Sequence, residues 1–259
     1  MLAILSPAKK LNEKALTCEL PVTEPALMSD IQELMEVSRK LSKDEGQVLM
    51  DVSDRIADLT WDRFQSMETP FTLENSKPAA LLFDGDSYKG LQAATLSDEE
   101  LAYAQDHLRI LSGLYGVVRP LDLIQPYRLE MGRRLETPRG KNLYEFWGSR
   151  ITDELNRVLA DRKEKVVVHL SSNEYFKAVQ TDKLDAKVIE CTFRENRDGE
   201  LKFISFSAKE ARGMMARYII QNRPKKVADL QDFCEAEYRY RPDLSSETEL
   251  VFVRPDQRR

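Results

Sequence analysis

The sequence predicts an α/β chain, an α+β arrangement around a mixed sheet, and three observations predict it. Short apolar or β-branched runs at residues 1–5 and 166–170 have the length and composition of buried strands. Apolar residues between such runs recur at helical spacing, as at Leu27, Ile31, Leu34, Met35, Val37 and Leu41. No repeat, low-complexity tract or long linker divides the chain, so residues 1–259 read as a single domain.

Taken in order, residues 1–5 form a strand and residues 25–41 a helix. Ser42 and Asp44 supply N-caps for a further helix running through Val48, Leu49, Val52 and Ile56 toward Trp61 and Phe64. Pro78 interrupts this pattern, and residues 79–83 read as a strand closed by Asp84, Gly85 and Asp86. Ser97 with Glu100 is a capping box that opens a helix reaching about Leu108, while residues 109–113 fit either a strand or a helix end. Residues 143–159 are amphipathic and helical, and residues 166–170 form a central strand. Asn196-Arg-Asp-Gly199 is a hairpin turn between strands at 188–193 and 201–206. Residues 208–221 form a helix rich in Met and Arg, and residues 249–254 a last alternating strand.

Composition excludes several classes. Charged residues make up 32% of the chain, and no stretch approaches the ~18 consecutive apolar residues that cross a bilayer. The N-terminus has no basic segment and only a handful of apolar residues before Pro7, so no export signal is expected and the location reads as cytoplasmic. Cys18, Cys191 and Cys234 are odd in number and far apart, which suits a reducing compartment and argues against structural zinc. His107 and His169 are the only histidines, so a His-rich metal site is excluded and neither metal nor cofactor is expected. His169, inside an apolar run, reads as a hydrogen-bonded core residue. P-loop, dinucleotide, zincin and nucleophile-elbow motifs are absent.

Net charge is -5, which by itself speaks against a nucleic-acid partner. The distribution differs: residues 107–226 hold 24 basic against 16 acidic side chains, whereas residues 1–106 hold 10 against 20. Two basic tracts, 107–150 and 205–226, stand inside an acidic chain. Three segments put hydroxyls and a lysine just past an expected strand: Ser6 to Lys9, Ser171 to Lys177, and Ser207 to Lys209. Ligands of open α/β sheets bind beyond the carboxyl ends of the strands, so these segments are expected at one edge, with Lys9, Lys177 and Lys209 near Asp86 and Glu174. Ordinary N-caps and solvent-facing lysines are the alternative reading. The turn at Gly113 and Gly116, with Arg119 and Arg128 beside it, can present N–H groups to phosphate. Tyr127 interleaved with Arg128, Arg133, Arg134, Arg139 and Lys141 suits a nucleic-acid groove; Tyr144, Phe146 and Trp147 read as core.

Seven blocks then occur in order along essentially the whole chain. They are Ser6-Pro-Ala-Lys9, Gly85-Asp-Ser-Tyr-Lys-Gly-Leu91, Leu111-Ser-Gly-Leu-Tyr-Gly-Val-Val-Arg-Pro-Leu-Asp122, Pro126-Tyr-Arg-Leu-Glu-Met-Gly132, Leu143-Tyr-Glu-Phe-Trp-Gly148, Glu174-Tyr-Phe-Lys177 and Ile204-Ser-Phe-Ser-Ala-Lys-Glu-Ala-Arg-Gly213. Together they resemble the YaaA family of peroxide stress proteins. The resemblance implies a bacterial cytoplasmic protein induced by hydrogen peroxide that lowers free iron and so limits damage. It also implies a helix-hairpin-helix-like element, falling here on Leu111 to Arg119, and a positively charged cleft for duplex or distorted DNA. Lys10 and Ser207 depart from the family pattern, so neither is assigned an essential role.

Two functions compete. The first is DNA binding without sequence preference through Gly113, Gly116, Arg119, Arg128, Arg133, Arg134, Lys209, Arg212 and Arg217, with no obligate protein partner. The second is an enzyme acting on a nucleobase or abasic sugar, where Lys9, Lys177 or Lys209 attacks a carbonyl beside Asp86 and Glu174. Direct iron binding is disfavoured, because Glu99 and Glu100 read as helix N-terminal charges.

Overall fold

The computed structural model describes residues 1–16 and 20–255; Cys18 lies outside the described residues. Strand β1 (Leu2–Leu5) is buried along its whole length, as a central parallel strand covered on both faces must be. Helices α1 (Met28–Arg39), α2 (Lys43–Met50) and α3 (Asp54–Ser66) follow. Ser42 caps α2 in a capping box with Glu45. The continuous helix expected beyond Ser42 is two helices, because Asp51 turns left-handed at φ 51° and Ser53 starts the chain afresh. Aspartate tolerates that conformation better than most residues.

Strand β2 (Lys77–Pro78) leads into α4 (Ala79–Leu82) and α5 (Asp86–Leu91). The strand expected at residues 79–83 is therefore helical. Its Ala-Ala-Leu-Leu run favours helix and follows directly on a proline, and Gly85 serves as the N-cap of α5 instead of closing a strand. Helix α6 (Asp98–His107) opens through the Ser97–Glu100 capping box and passes straight into β3 (Leu108–Ser112). Strand β4 (Gly116–Val118) returns antiparallel, with Ser112 opposite Gly116. The block from Leu111 to Arg119 is thus a β-hairpin and not a helix-hairpin-helix element. Its Leu, Tyr and Val side chains fill the core from both arms.

Strand β5 (Leu123–Ile124) pairs with β2. Helices α7 (Leu143–Trp147) and α8 (Arg150–Leu159) replace the one expected, parted at Gly148 with φ 51°. Strand β6 (Val166–His169) and α9 (Asn173–Phe176) precede β7 (Lys187–Arg197) and β8 (Glu200–Lys202). Asp198 and Gly199, at φ 55° and 86°, make the two-residue hairpin turn that the sequence signals. The strand stops at Lys202, short of Phe206. Helix α10 (Ser205–Asn222) claims the remainder, since Ser-Phe-Ser-Ala lacks β-branched residues and continues a helical run. Strands β9 (Arg239–Tyr240) and β10 (Glu249–Arg254) complete the fold.

One eight-stranded mixed sheet runs β4-β3-β1-β6-β7-β10-β9, with β8 paired to β7. β1 is parallel to both β3 and β6, so the chain winds outward on one side of β1 and later on the other. Loops leaving β1 and β6 part at such a point and open a crevice beyond the strand ends. Helices α5 and α10 cross above it at the closest approach two backbones allow. A Cβ on Gly213 would stand 1.8 Å from the Ser87 carbonyl oxygen, and one on Gly90 2.1 Å from that of Glu210. These contacts fix the first turns of α10 beside α5 and over the end of β1. Among the described residues no helix is long and apolar enough to cross a membrane.

Candidate functional site

The crevice beyond β1 and β6 is a cleft of about 550 Å³. That is the size of small-molecule sites in general. Ser6 leaves β1 and Ser172 follows β6; the Ser172 N–H donates to Ser6 Oγ at 2.8 Å. The buried Tyr88 hydroxyl of α5 donates to the Ser6 carbonyl at 2.9 Å, tying a third element to the same point. Gly85 is required there, because a Cβ would meet that of Ala8 at 2.8 Å.

Six cations line the cleft, Lys9, Lys10, Lys89, Arg128, Lys209 and Arg212, against the carboxylates of Asp84, Asp86, Glu130 and Glu174. Lys10 pairs with Asp84 at 2.6 Å and Lys89 with Asp86 at 2.9 Å. Glu130, nearly inaccessible, faces three cations at once: Lys9 at 3.1 Å, Arg128 at 3.3 Å and Arg133 at 3.2 Å. Burial pushes its carboxyl up, but Lys9, then Arg128 and Arg133, overcome burial and hold it below the usual carboxylate range. Glu174 spends Oε1 on the Gly132 N–H at 3.0 Å. Lys209 is exposed and Arg212 half-buried, and among the described residues neither has a hydrogen bond or ion pair. The Arg128 Nε is buried without a hydrogen-bond partner. Cations therefore exceed carboxylates here, and several retain donors for an added anion such as a phosphate.

Four of the five residues expected to converge do line this cleft: Lys9, Lys209, Asp86 and Glu174. Lys177 does not; its ammonium lies 5.2 Å from the centre of the Tyr144 ring. Lys9 is ion-paired to Glu130, whereas a nucleophilic amine needs desolvation or neighbouring positive charge. Ser6 and Ser172 share the expected edge. Ser207 does not, being buried in α10, where it accepts from Arg254 at 3.3 Å.

The residues expected to touch DNA divide. Arg128 and Arg212 line the cleft with Lys209, Arg133 adjoins it through Glu130, and Arg134 is exposed. Gly113 and Gly116 are buried, so their N–H groups face no solvent. Packing explains both glycines: a Cβ on Gly113 would lie 2.1 Å from the Leu129 carbonyl oxygen, and one on Gly116 2.8 Å from the Trp147 ring. Arg119 pairs with the buried Asp122 at 2.9 Å and donates to the Glu24 carbonyl. Arg217 donates to the Leu91 and Gln92 carbonyls and to Thr95 Oγ1, holding the end of α5. Sequence reasoning missed Glu130 as the hub of the cleft; the signal was an isolated acid flanked by Arg128 and Arg133.

His169 is buried, with Nδ1 3.1 Å from Ser171 Oγ and its ring stacked 3.8 Å from that of Phe176. Burial, then Arg212, lowers its pKa to about 4. Among the described residues no group of three or more His, Cys, Asp or Glu side chains is placed to hold a metal ion.

Comparison with known proteins adds a family. The family model described as peroxide stress protein YaaA matches residues 1–244. A UPF0246 protein of Idiomarina loihiensis is 49% identical over 258 residues, covering 100% of both chains. A UPF0246 protein of Cellvibrio japonicus is 48% identical over 256 residues, covering 99% of each.

Proposed function

The chain belongs to the peroxide stress protein YaaA family, and we propose that it serves that response in the cytoplasm by binding DNA without sequence preference. The observation that carries the reading is that Lys209 and Arg212 line, without a hydrogen bond or ion pair, a cleft where three further cations share one carboxylate. Phosphate binding is driven by cations free to replace counterions; Lys209 is exposed and unpaired, and Arg212 has no direct ion pair. The interface comprises Arg128, Arg133, Arg134, Lys209 and Arg212. It leaves out Gly113, Gly116, Arg119 and Arg217, whose groups are spent on the fold. Limiting iron-dependent damage then operates at the DNA, with no metal, cofactor, membrane or obligate protein partner required.

The test is a binding titration with duplex and bubble DNA at several salt concentrations. Lys209→Glu with Arg212→Glu should lower affinity and flatten the slope of log K against log salt by about 0.9 for each phosphate that is no longer neutralised. Unmeasurable affinity of the unaltered chain for both DNAs at ~50 mM salt, where several phosphate interactions should be strong, would defeat the reading.

A further inference from the structure

Five large apolar side chains are exposed among the described residues, Val48, Leu59, Leu73, Phe203 and Phe206. Only the last two are aromatic. They stand 57% and 60% exposed within one short stretch, at the entry to α10. Single exposed apolar residues are ordinary, so the position of this pair is what matters. Phe206 lies in the first turn of α10, three residues before Lys209, a spacing that sets ring and ammonium on one helix face, with the half-buried Arg212 about a third of a turn round from the ring. Three residues of helix rise about 4.5 Å, so ring and ammonium are near neighbours. No acidic residue of α10 itself occupies its first turn; the Glu195 carboxylate that accepts from Ser207 there is shared with Arg197 and Arg254. Of the acids nearby, Glu200 on β8 is paired with Lys202 at 3.0 Å, and Glu210, four residues after Phe206, is the one acid that α10 itself carries.

We propose that Phe203 and Phe206 are a stacking platform for unpaired bases, which makes single-stranded or locally melted DNA the preferred ligand over intact duplex. The proposal rests on the DNA-binding reading above. Exposed rings beside free cations are the composition that holds unpaired strands: bases stack on the rings while cations hold the phosphates. An intact duplex offers no base faces along its sides, so it gains the cations and nothing from the rings.

The experiment compares affinities of the full chain for a single-stranded oligonucleotide, the same strand with abasic residues, and its duplex, all at one salt concentration. The unaltered chain should bind the single strand best and the abasic strand about tenfold more weakly. Phe203→Ala with Phe206→Ala should cost about the same factor on the single strand and leave duplex affinity within about twofold, with circular dichroism unchanged. Phe206→Trp should restore much of the loss. If the unaltered chain binds no DNA, the functional reading fails and takes this proposal with it. If it binds DNA but ignores the phenylalanine substitutions, only the platform is overturned. Loss of self-association in the double variant, with DNA affinity unchanged, would assign the rings to a second copy of the chain and overturn it equally.

Discussion

The β3–β4 hairpin and the first turns of α10 carry similar sequence credentials, glycine and arginine in distinctive blocks, yet the fold uses them in opposite ways. In the hairpin, Ser112 through Val118 are buried, Arg119 is committed to Asp122, and the Trp147 indole donates to the Gly113 carbonyl at 3.0 Å. In α10, Gly213 is likewise spent on packing, but Lys209 is exposed in the cleft without an ion pair, and the half-buried Arg212 has none closer than the field of Glu190. A cation's neighbours in sequence do not reveal whether a carboxylate elsewhere has already neutralised it. Long-range pairing decides that, and in this chain it decides against the hairpin.

The largest effect that could break the contrast comes from the hairpin. Gly113→Ala drives a methyl group into the Leu129 carbonyl, a clash with backbone that no side-chain rotation relieves. It should destabilise the protein by about 3 kcal/mol or more in urea denaturation. Whatever fraction stays folded should bind DNA with unaltered affinity. Intact stability with abolished DNA binding would reverse the assignment of the two regions.

That contrast also marks where the sequence is readable. Local signals carry through wherever the chain's own chemistry suffices: the N-cap at Ser42 (Asp44, the other cap expected, lies inside α2), the capping box at Ser97, the Asp198–Gly199 turn, and the β-branched run at β6. They fail where a short apolar run fits two periods, as at Ala79–Leu82, or where a strand passes unmarked into helix before Ser205. The strand-end logic brings Lys9, Lys209, Asp86 and Glu174 to one cleft. It misplaces Lys177, which lies just past α9 and turns toward Tyr144, and it misses Glu130, whose importance comes from three cations around one carboxylate.

A second effect, of about 3 kcal/mol at its upper limit, sharpens the contrast through pH. His169 titrates near 4 in the folded protein, against an ordinary 6.5, because burial and Arg212 oppose its charge. The unfolded chain thus binds the proton more readily than the folded one. Stability is full above about pH 6.5 and declines as pH falls toward about 4. His169→Gln should flatten the pH dependence of the denaturation midpoint across that window. Local hydrogen exchange on acidification should rise first around β6 and α10, and later in the β3–β4 hairpin, which has no histidine.

The smallest effect on stability is the most telling about function. Glu130 is the one carboxylate shared by Lys9, Arg128 and Arg133, so Glu130→Gln removes a negative charge and leaves three cations facing one another. Breaking a fully buried ion pair costs about 3–5 kcal/mol, but these cations have water available, so about 1–2 kcal/mol is expected here. Because the folded carboxyl is held below its unfolded pKa, its contribution is present above that unfolded value and lost as pH falls through the folded one. The gap between the two proteins should therefore close in acid. DNA affinity should move the other way: with one fewer negative charge among the cleft cations, binding should tighten several-fold at low salt, the gain shrinking as salt screens it. A destabilised variant that binds DNA more tightly is an outcome that a purely structural Glu130 would not give. Weaker binding by folded Glu130→Gln would mean that the carboxylate aims the cations at phosphate, and it would move the centre of the interface from free charge to positioned charge.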